Sequence, residues 1–388
     1  MRKVLFFIGF LVLISCEKEK NYNDFFQTSN VYTKIRKENL KINIDTIKFD
    51  NIPSSYIGEL KCINDKFLFI DYRFCKVFIF DNNGKFLLKK IGQGFLTNEI
   101  NTSKINRFCF ENDKYLILGD YNDFHFFNSK WKKIQSNRIN WNSYIKYGES
   151  RNVKNPKHDE PTIYSFDFTN HFIKSLKNKI YIPIYSEHKN FNGLTKNEYY
   201  YNSRIIAEID ISDSTNVNVK RILGRRTPKL LKYQFLPQYS GFSFDIDSKG
   251  NFYINYEIDP YIYVYDNDFN LKYKLGHSGI DMDTTYLTIN NYNLKKFRHL
   301  LNEDKPNRGY YTNIKVFEDQ NLIFRSYKKS KNSKFDGLQV YKNKILISDQ
   351  NIPKNLEISF YYNGYYYSNI QIDEENEKMF VYKIKINL

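Results

Sequence analysis

The sequence predicts an all-β fold, a six-bladed β-propeller of four-stranded antiparallel blades whose ring is closed by an N-terminal strand. Three observations carry this. The composition favours strands, with 34 Tyr and 33 Phe among recurring short runs of Ile and Val, while alanine, the best helix former, is scarce. A strand pair repeats: residues 66–82 can be laid over residues 251–267 without a gap, and residues 114–128 fit with one residue removed. The flanks repeat as well, in turns built from Asn, Asp and Gly, the residues that tolerate positive φ in tight hairpins.

Each element can be justified in order. Ahead of each repeated pair lies a strand that ends in a turn, at residues 63–65, 111–113 and 247–250. After two of the pairs a hairpin leads to a fourth strand, through Asp81-Asn82-Asn83-Gly84 and through residues 266–270. Four antiparallel strands in every forty to fifty residues or so is the pattern of a propeller blade. The blades fall at 57–92, 104–135, 160–224, 239–276, 311–347 and 356–388, and residues 41–50 complete the last one from the other end of the chain. Such a closing strand removes the open edge that an unclosed ring would present. The same strands also permit a two-sheet sandwich followed by a second β domain, and a chain of 388 residues has room for either.

The N-terminus carries an address. Arg2 and Lys3 precede an apolar run from Val4 to Ile14 that is too short for a stable membrane span and has the layout of a secretory signal. Leu13-Ile14-Ser15-Cys16 resembles the lipobox of bacterial lipoproteins, in which the signal is cut before the cysteine. The resemblance implies that Cys16 is the lipid attachment site, with residues 1–15 as signal peptide; the polar tract 16–39, without apolar periodicity, reads as a flexible tether, and residues 40–388 as the propeller. It also implies a protein lipid-anchored in the cell envelope, at the outer membrane, on its periplasmic or its surface side. An ordinary signal peptide with a chance cysteine is the plainer alternative.

Residues 57–94 are similar to the first blade of the six-bladed propeller lipoproteins of anaerobic Gram-negative bacteria, and residues 259–266 and 276–286 share that similarity. The shared motifs are turns and strand cores. The resemblance therefore implies a fold and an envelope location and transfers no catalytic residue. One departure is the Gly-rich tail of the first blade, cut down to Gly92-Gln93-Gly94.

The net charge of +16 is spread along the chain, which reads as a solvated surface. An exported protein meets no genomic DNA, so nucleic acid is not an expected partner; anionic membrane, acidic glycan and lipopolysaccharide phosphate are better counter-charges. Beyond Cys16 the cysteines are Cys62, Cys75 and Cys109, an odd number that does not make a disulfide framework. Cys62 and Cys109 lie in apolar runs and read as small buried hydrophobes.

Function is expected on one face. In strands named A to D, the A–B and C–D turns share one face of the disc and the B–C and D–A loops the other. The long segments, 94–103, 187–203, 225–240 and 277–310, are all of the second kind, and loops longer than a connection needs are usually functional or disordered. Arg225, Arg226 and Lys229 cluster there, with Lys232 and Tyr233 close behind, and a pair of arginines can hold a carboxylate or phosphate by forked hydrogen bonds. Arg73 and Arg308 can reach the same face. A solvated basic loop is the bland reading of this cluster. Tyr72, Tyr121, Tyr256 and Tyr310 offer sugar-stacking surfaces or packing between blades.

Other motifs fail. Residues 245–250 begin like a calcium loop, but Lys249 takes a ligand position and Tyr256 stands where the closing glutamate belongs, so a blade turn is expected. The six histidines have no zinc spacing, and there is no nucleophile elbow, P-loop or dinucleotide fingerprint. No catalytic residue, metal or cofactor is assigned, and the oligomeric state is left open. Cys62, Ile63, Phe108, Cys109, Phe110 and Phe244 make the innermost strands read as apolar, with Glu59 and Asp245 as the acidic exceptions. The expected function is therefore a non-catalytic, membrane-anchored envelope lipoprotein that binds a partner protein or glycan through its long-loop face. The alternative is a propeller hydrolase, a lactonase or glycosidase, acting at the central channel.

Overall fold

Among the described residues twenty-eight strands form a ring of six sheets in a computed structural model, which describes residues 22–36, 38, 40–141, 152–167, 169, 172–193, 198–233, 236–288 and 294–387. The predicted signal, residues 1–15, and Cys16 lie outside the described residues. Blade 1 runs through Gly58–Ile63, Lys66–Asp71, Lys76–Phe80 and Phe86–Lys90, each strand antiparallel to the next. Blade 2 has the same order in Arg107–Glu111, Lys114–Leu118, Asp123–Asn128 and Lys133–Arg138. Blade 4 spans Phe242–Ile246 to Leu271–Leu275, and blade 5 spans Tyr310–Phe317 to Ile345–Ile352. The six-bladed propeller expected from the repeats is thus the fold, with blade limits close to those expected.

Blade 3 departs from the pattern on its inner edge. Its A strand is split into Tyr164–Phe166, opposite Ile184 to Ser186, and Lys174–Leu176, opposite Lys179 to Tyr181. Between the two pieces, Asp167 and Phe172 line the central cavity. Blade 6 is closed as expected. Lys41–Lys48 pairs over its whole length with the last strand, Lys378–Asn387, from Lys41 opposite Asn387 to Lys48 opposite Phe380. The strands Lys41–Lys48 and Lys378–Asn387 thereby close the ring within one sheet.

Among the described residues the apolar core divides into six clusters, one in each gap between neighbouring blades. Period-two alternation explains this, because successive side chains of a strand point to opposite faces of its blade and both faces are covered by a neighbour. Cys109 sits in the gap between blades 2 and 3, Cys75 between blades 1 and 2, and the half-buried Cys62 packs between blades 6 and 1, all three as free thiols. Burial pushes the Cys62 and Cys75 thiols up to about 11.

The short-turn face is tight. Asn64 and Asp65, Asn112 and Asp113, and Lys177 and Asn178 hold positive φ as pairs, the backbone of two-residue hairpins whose twist matches the flanking strands. The longer hairpins are capped by carboxylates: Asp81 Oδ1 accepts from the backbone of Asn83 and Lys85, and Asp266 Oδ1 from Asp268 and Asn270. Asp247, in the stretch that begins like a calcium loop, accepts backbone N–H bonds from Lys249 and Asn251 at 3.1 and 2.8 Å, as a blade turn requires.

Residues 22–36, expected within a flexible tether, are docked on the rim of the ring. The short helix Tyr22–Phe26 buries Phe25 and Phe26 in the gap between blades 3 and 4, where the Phe25 ring stacks on Tyr265 at 4.9 Å. Val31–Tyr32 then adds a parallel strand to the outer edge of blade 4, and Ile35 bridges to Leu346 of blade 5. The physical reason is two adjacent aromatics in an otherwise polar tract. They find a ready-made cleft between blades, and the outer strand of blade 4 has a free edge to pair.

Candidate functional site

The long loops and the starts of the inner strands of five blades enclose a cavity of about 1200 Å³ at one end of the central channel. It opens on the face formed by the B–C and D–A connections. Its upper wall comes from three long segments. Tyr185, Asn192, Tyr199 and Tyr200 belong to the strand end and insertion between the second and third strands of blade 3. Pro237, Gln238 and Ser240 come from the linker between blades 3 and 4, while Phe297, Leu301 and Lys305 come from the helical loop between blades 4 and 5.

The floor is built by inner strands. In Gly58–Ile63, Glu59 and Lys61 share the channel side while Leu60 turns into the gap between blades 6 and 1. In blade 5, Asn313 and Lys315 face the channel and Ile314 is buried behind them; a bulge at Thr312 adds that residue to the same surface. Lys174 enters from blade 3, and Glu357 and Ser359 from blade 6. The sequence reading of the inner strands as apolar is corrected here. Phe108 and Phe244 do belong to inner strands, but their side chains fill gaps between blades, while the inner strands of blades 1, 3 and 5 present Lys61, Lys174 and Lys315 to the cavity.

The charges are partly matched. Lys305 Nζ donates to both carboxylate oxygens of Glu257, at 2.8 and 3.0 Å, which ties the helical loop to the end of blade 4. Lys61 Nζ lies 2.5 Å from Glu59 Oε2, and Lys174 Nζ lies 2.7 Å from Asp245 Oδ1. Burial opposes ionisation of Asp245, but Lys174 and Lys315 beside it prevail and hold its carboxyl below the usual aspartate range. Glu357 goes the other way: burial raises it above the usual glutamate range, against a hydrogen bond from Thr312.

Of the six arginine and lysine positions singled out in the sequence, Arg73, Arg225, Arg226, Lys229, Lys232 and Arg308, Arg226 alone lines the cavity. It is 6% exposed, and its guanidinium is committed: Nε donates to Ser203 Oγ at 3.1 Å, Nη1 to the Ser240 carbonyl at 2.5 Å and Nη2 to the Tyr199 hydroxyl at 2.8 Å. Its plane also lies over the Tyr199 ring, 4.9 Å from the centroid. Arg225 is buried beside it, with its carbonyl accepting from the Tyr256 hydroxyl at 2.6 Å. Lys229 is half-buried in a single helical turn, Pro228–Lys232. Arg308 is held within its own loop by Asp283 at 2.7 Å and Asp304 at 3.1 Å, so it pins that loop rather than facing the channel. Arg73 is exposed on the B–C turn of blade 1, outside the cavity lining. Tyr72 lines the cavity, Tyr256 is buried among aromatics, and Tyr310 packs under Lys305 at 5.0 Å. The side chain of Tyr121 lies outside the described residues.

Lys61, Lys174, Lys315, Glu257, Lys305 and Glu357 are the cavity residues that the sequence reading passed over. A signal exists for those in strands. Each of Glu59-Leu60-Lys61, Ser243-Phe244-Asp245 and Asn313-Ile314-Lys315 alternates polar, apolar, polar at the start of a blade, which places the polar pair on one side of the strand.

The arrangement can surround an extended polar ligand. Aromatic faces supply apolar contact, amides and hydroxyls supply hydrogen bonds, and the floor supplies charge of both signs. Solved structures support the architecture. The chain is similar to a member of the DUF4221 family from Bacteroides vulgatus, at a TM-score of 0.60 and 12% identity, over 90% of this chain and 98% of that one. It is similar also to a candidate exported protein from Bacteroides fragilis, at a TM-score of 0.53 and 10% identity, over 92% and 100% of the two chains. At these identities the likeness is one of fold. No family model and no curated protein matches the sequence.

Proposed function

We propose that this protein is a lipid-anchored envelope lipoprotein that captures a glycan, without transforming it, in the cavity on the long-loop face. The observation that carries the reading is the cavity itself. At about 1200 Å³ it is enclosed by loops and holds Tyr72, Tyr185, Tyr199 and Tyr200 beside Asn192, Gln238 and Asn313. Saccharides present flat C–H faces to aromatic rings and a ring of hydroxyls to amides, so this mixture suits them. A partner protein needs a broader and flatter contact than a recess between loops. Capture without turnover is supported by the matched carboxylates, since Glu59 and Glu257 each hold a lysine. Anchorage is supported by the Leu13-Ile14-Ser15-Cys16 motif. Export is in keeping with the Bacteroides fragilis neighbour.

Tyr185 makes the cleanest test, because it is half-buried in the wall and its hydroxyl donates to Glu187 at 2.5 Å. Calorimetric titration of the detergent-solubilised chain with a panel of oligosaccharides is expected to find a binder. Tyr185→Ala should weaken that binder about tenfold, the loss of roughly 1.4 kcal/mol. Unchanged affinity in the variant would remove the cavity from the reading.

Glu357 favours a second reading, the hydrolase. A glutamate held above its ordinary range by burial is the kind of group that protonates a leaving oxygen at neutral pH. Release of reducing ends from a bound saccharide, abolished in Glu357→Gln, would establish it in place of capture.

A further inference from the structure

We propose that the floor of the cavity is an oxyanion site in which Lys61, Lys174 and Lys315 receive one singly charged group, a carboxylate or sulfate ester, of the bound saccharide. This rests on the glycan reading and names the ligand class. The three lysines come from the inner strands of blades 1, 3 and 5, so ring closure brings them together and no local sequence feature does.

Lys61, Lys174 and Lys315 outnumber the acids beside them, Glu59 and Asp245, by one, while Glu357 on the same floor has Lys328 and Asp336 as its charged neighbours. Glu59 is matched by Lys61, and Asp245 by Lys174, with the second Asp245 oxygen accepting from the Val316 backbone at 2.9 Å. Lys315 makes no ion pair among the described residues and faces the cavity. The other titratable groups on the inner strands are Cys62 in blade 1, Arg107, Cys109 and Glu111 in blade 2, Tyr164 in blade 3, Tyr310 and Tyr311 in blade 5, and Tyr361 and Tyr362 in blade 6, with Glu357 just ahead of that last strand. Burial, and then the charge of Lys174, pull Lys315 down to about 7 against the attraction of Asp245. The site is therefore short of one negative charge at the place where the cavity ends. An arriving anion supplies it and restores the proton to Lys315.

The consequence is a sign. Anion binding favours the charged lysine, so affinity rises as pH falls through about 7, and above that pH binding takes up a proton. The experiment compares three oligosaccharides of equal length, one bearing a hexuronate, one a sulfate ester and one neutral. Titration calorimetry in two buffers of different ionisation enthalpy reads both affinity and proton uptake.

At pH 6 at least one acidic saccharide should bind about tenfold more tightly than the neutral one, and which of the two does so identifies the anion. At pH 8 its binding should take up close to one proton. Lys315→Met should erase the preference and the uptake; Lys315→Arg should keep the preference and lose the uptake. Equal binding of acidic and neutral saccharides, or a preference that survives in Lys315→Met, overturns the site and leaves the cavity reading standing. If no saccharide binds, the cavity reading falls. The site is then judged by acetate and sulfate titrated at constant ionic strength, which should raise the melting temperature of the parent and not of Lys315→Met; no difference between the two overturns it.

Discussion

Arg226 was expected, from its place in a basic loop, to clamp an anion, yet all three nitrogen positions of its guanidinium that can donate are taken by Ser203, Ser240 and Tyr199. It joins the blade 3 insertion to the blade 3–4 linker and so shapes the cavity wall. Hydrogen bonds to a buried charged group are worth about 1.5–3 kcal/mol each. Arg226→Ala should accordingly lower the melting temperature by several degrees, read by circular dichroism. Retained stability with weakened anion binding would return it to the role of a clamp. The residue's burial was not legible in the sequence, where Arg225-Arg226-Thr227-Pro228 has the composition of a solvated turn. Only the partners, 14 to 27 positions away along the chain, reveal it.

The strap over residues 22–36 makes the same point for an element. Its polar composition predicts a free chain, but Phe25 and Phe26 are 8% and 6% exposed in a cleft that exists only once blades 3 and 4 have packed. Burial of each ring contributes roughly 2–3 kcal/mol, enough to hold a short segment whose strand pairing covers two residues. Phe25→Ala with Phe26→Ala should free it. Limited proteolysis is expected to cut the variant between residues 27 and 40 while the ring resists; the same cleavage in the parent would show that the rings hold nothing. The hairpins are the contrasting case. Asp81 and Asp266 cap their own turns within four residues, so those elements were readable from a stretch of five.

At the scale of the whole molecule, the closing strand and the strap set how the ring would meet a membrane. Tyr22 is fixed beside the cavity loops, with its hydroxyl donating to the Arg226 carbonyl at 3.0 Å and its ring 5.6 Å from Tyr201. The six residue steps from Cys16 to Tyr22 reach at most about 20 Å. A lipid on Cys16 would thus hold the long-loop face close to the bilayer rather than on a long leash. Cys16→Ala should move the protein from the membrane pellet to the soluble fraction after cell lysis and ultracentrifugation; sedimentation unchanged by the substitution would rule the anchor out.

Blade number, blade limits and the uneven distribution of loops were legible in the sequence because each depends on local alternation and on turns of two to five residues. The meeting of Lys61, Lys174 and Lys315 was not. Those residues lie more than a hundred positions apart from one another, each with the spacing of an ordinary strand residue, and closure of six blades around an axis is what puts them within reach of a single ligand. Local sequence specifies strands and turns because their energetics are local. Which side of each strand faces the channel, and what charge gathers there, depends on the sum of contributions from five separate blades and was decided by the tertiary fold.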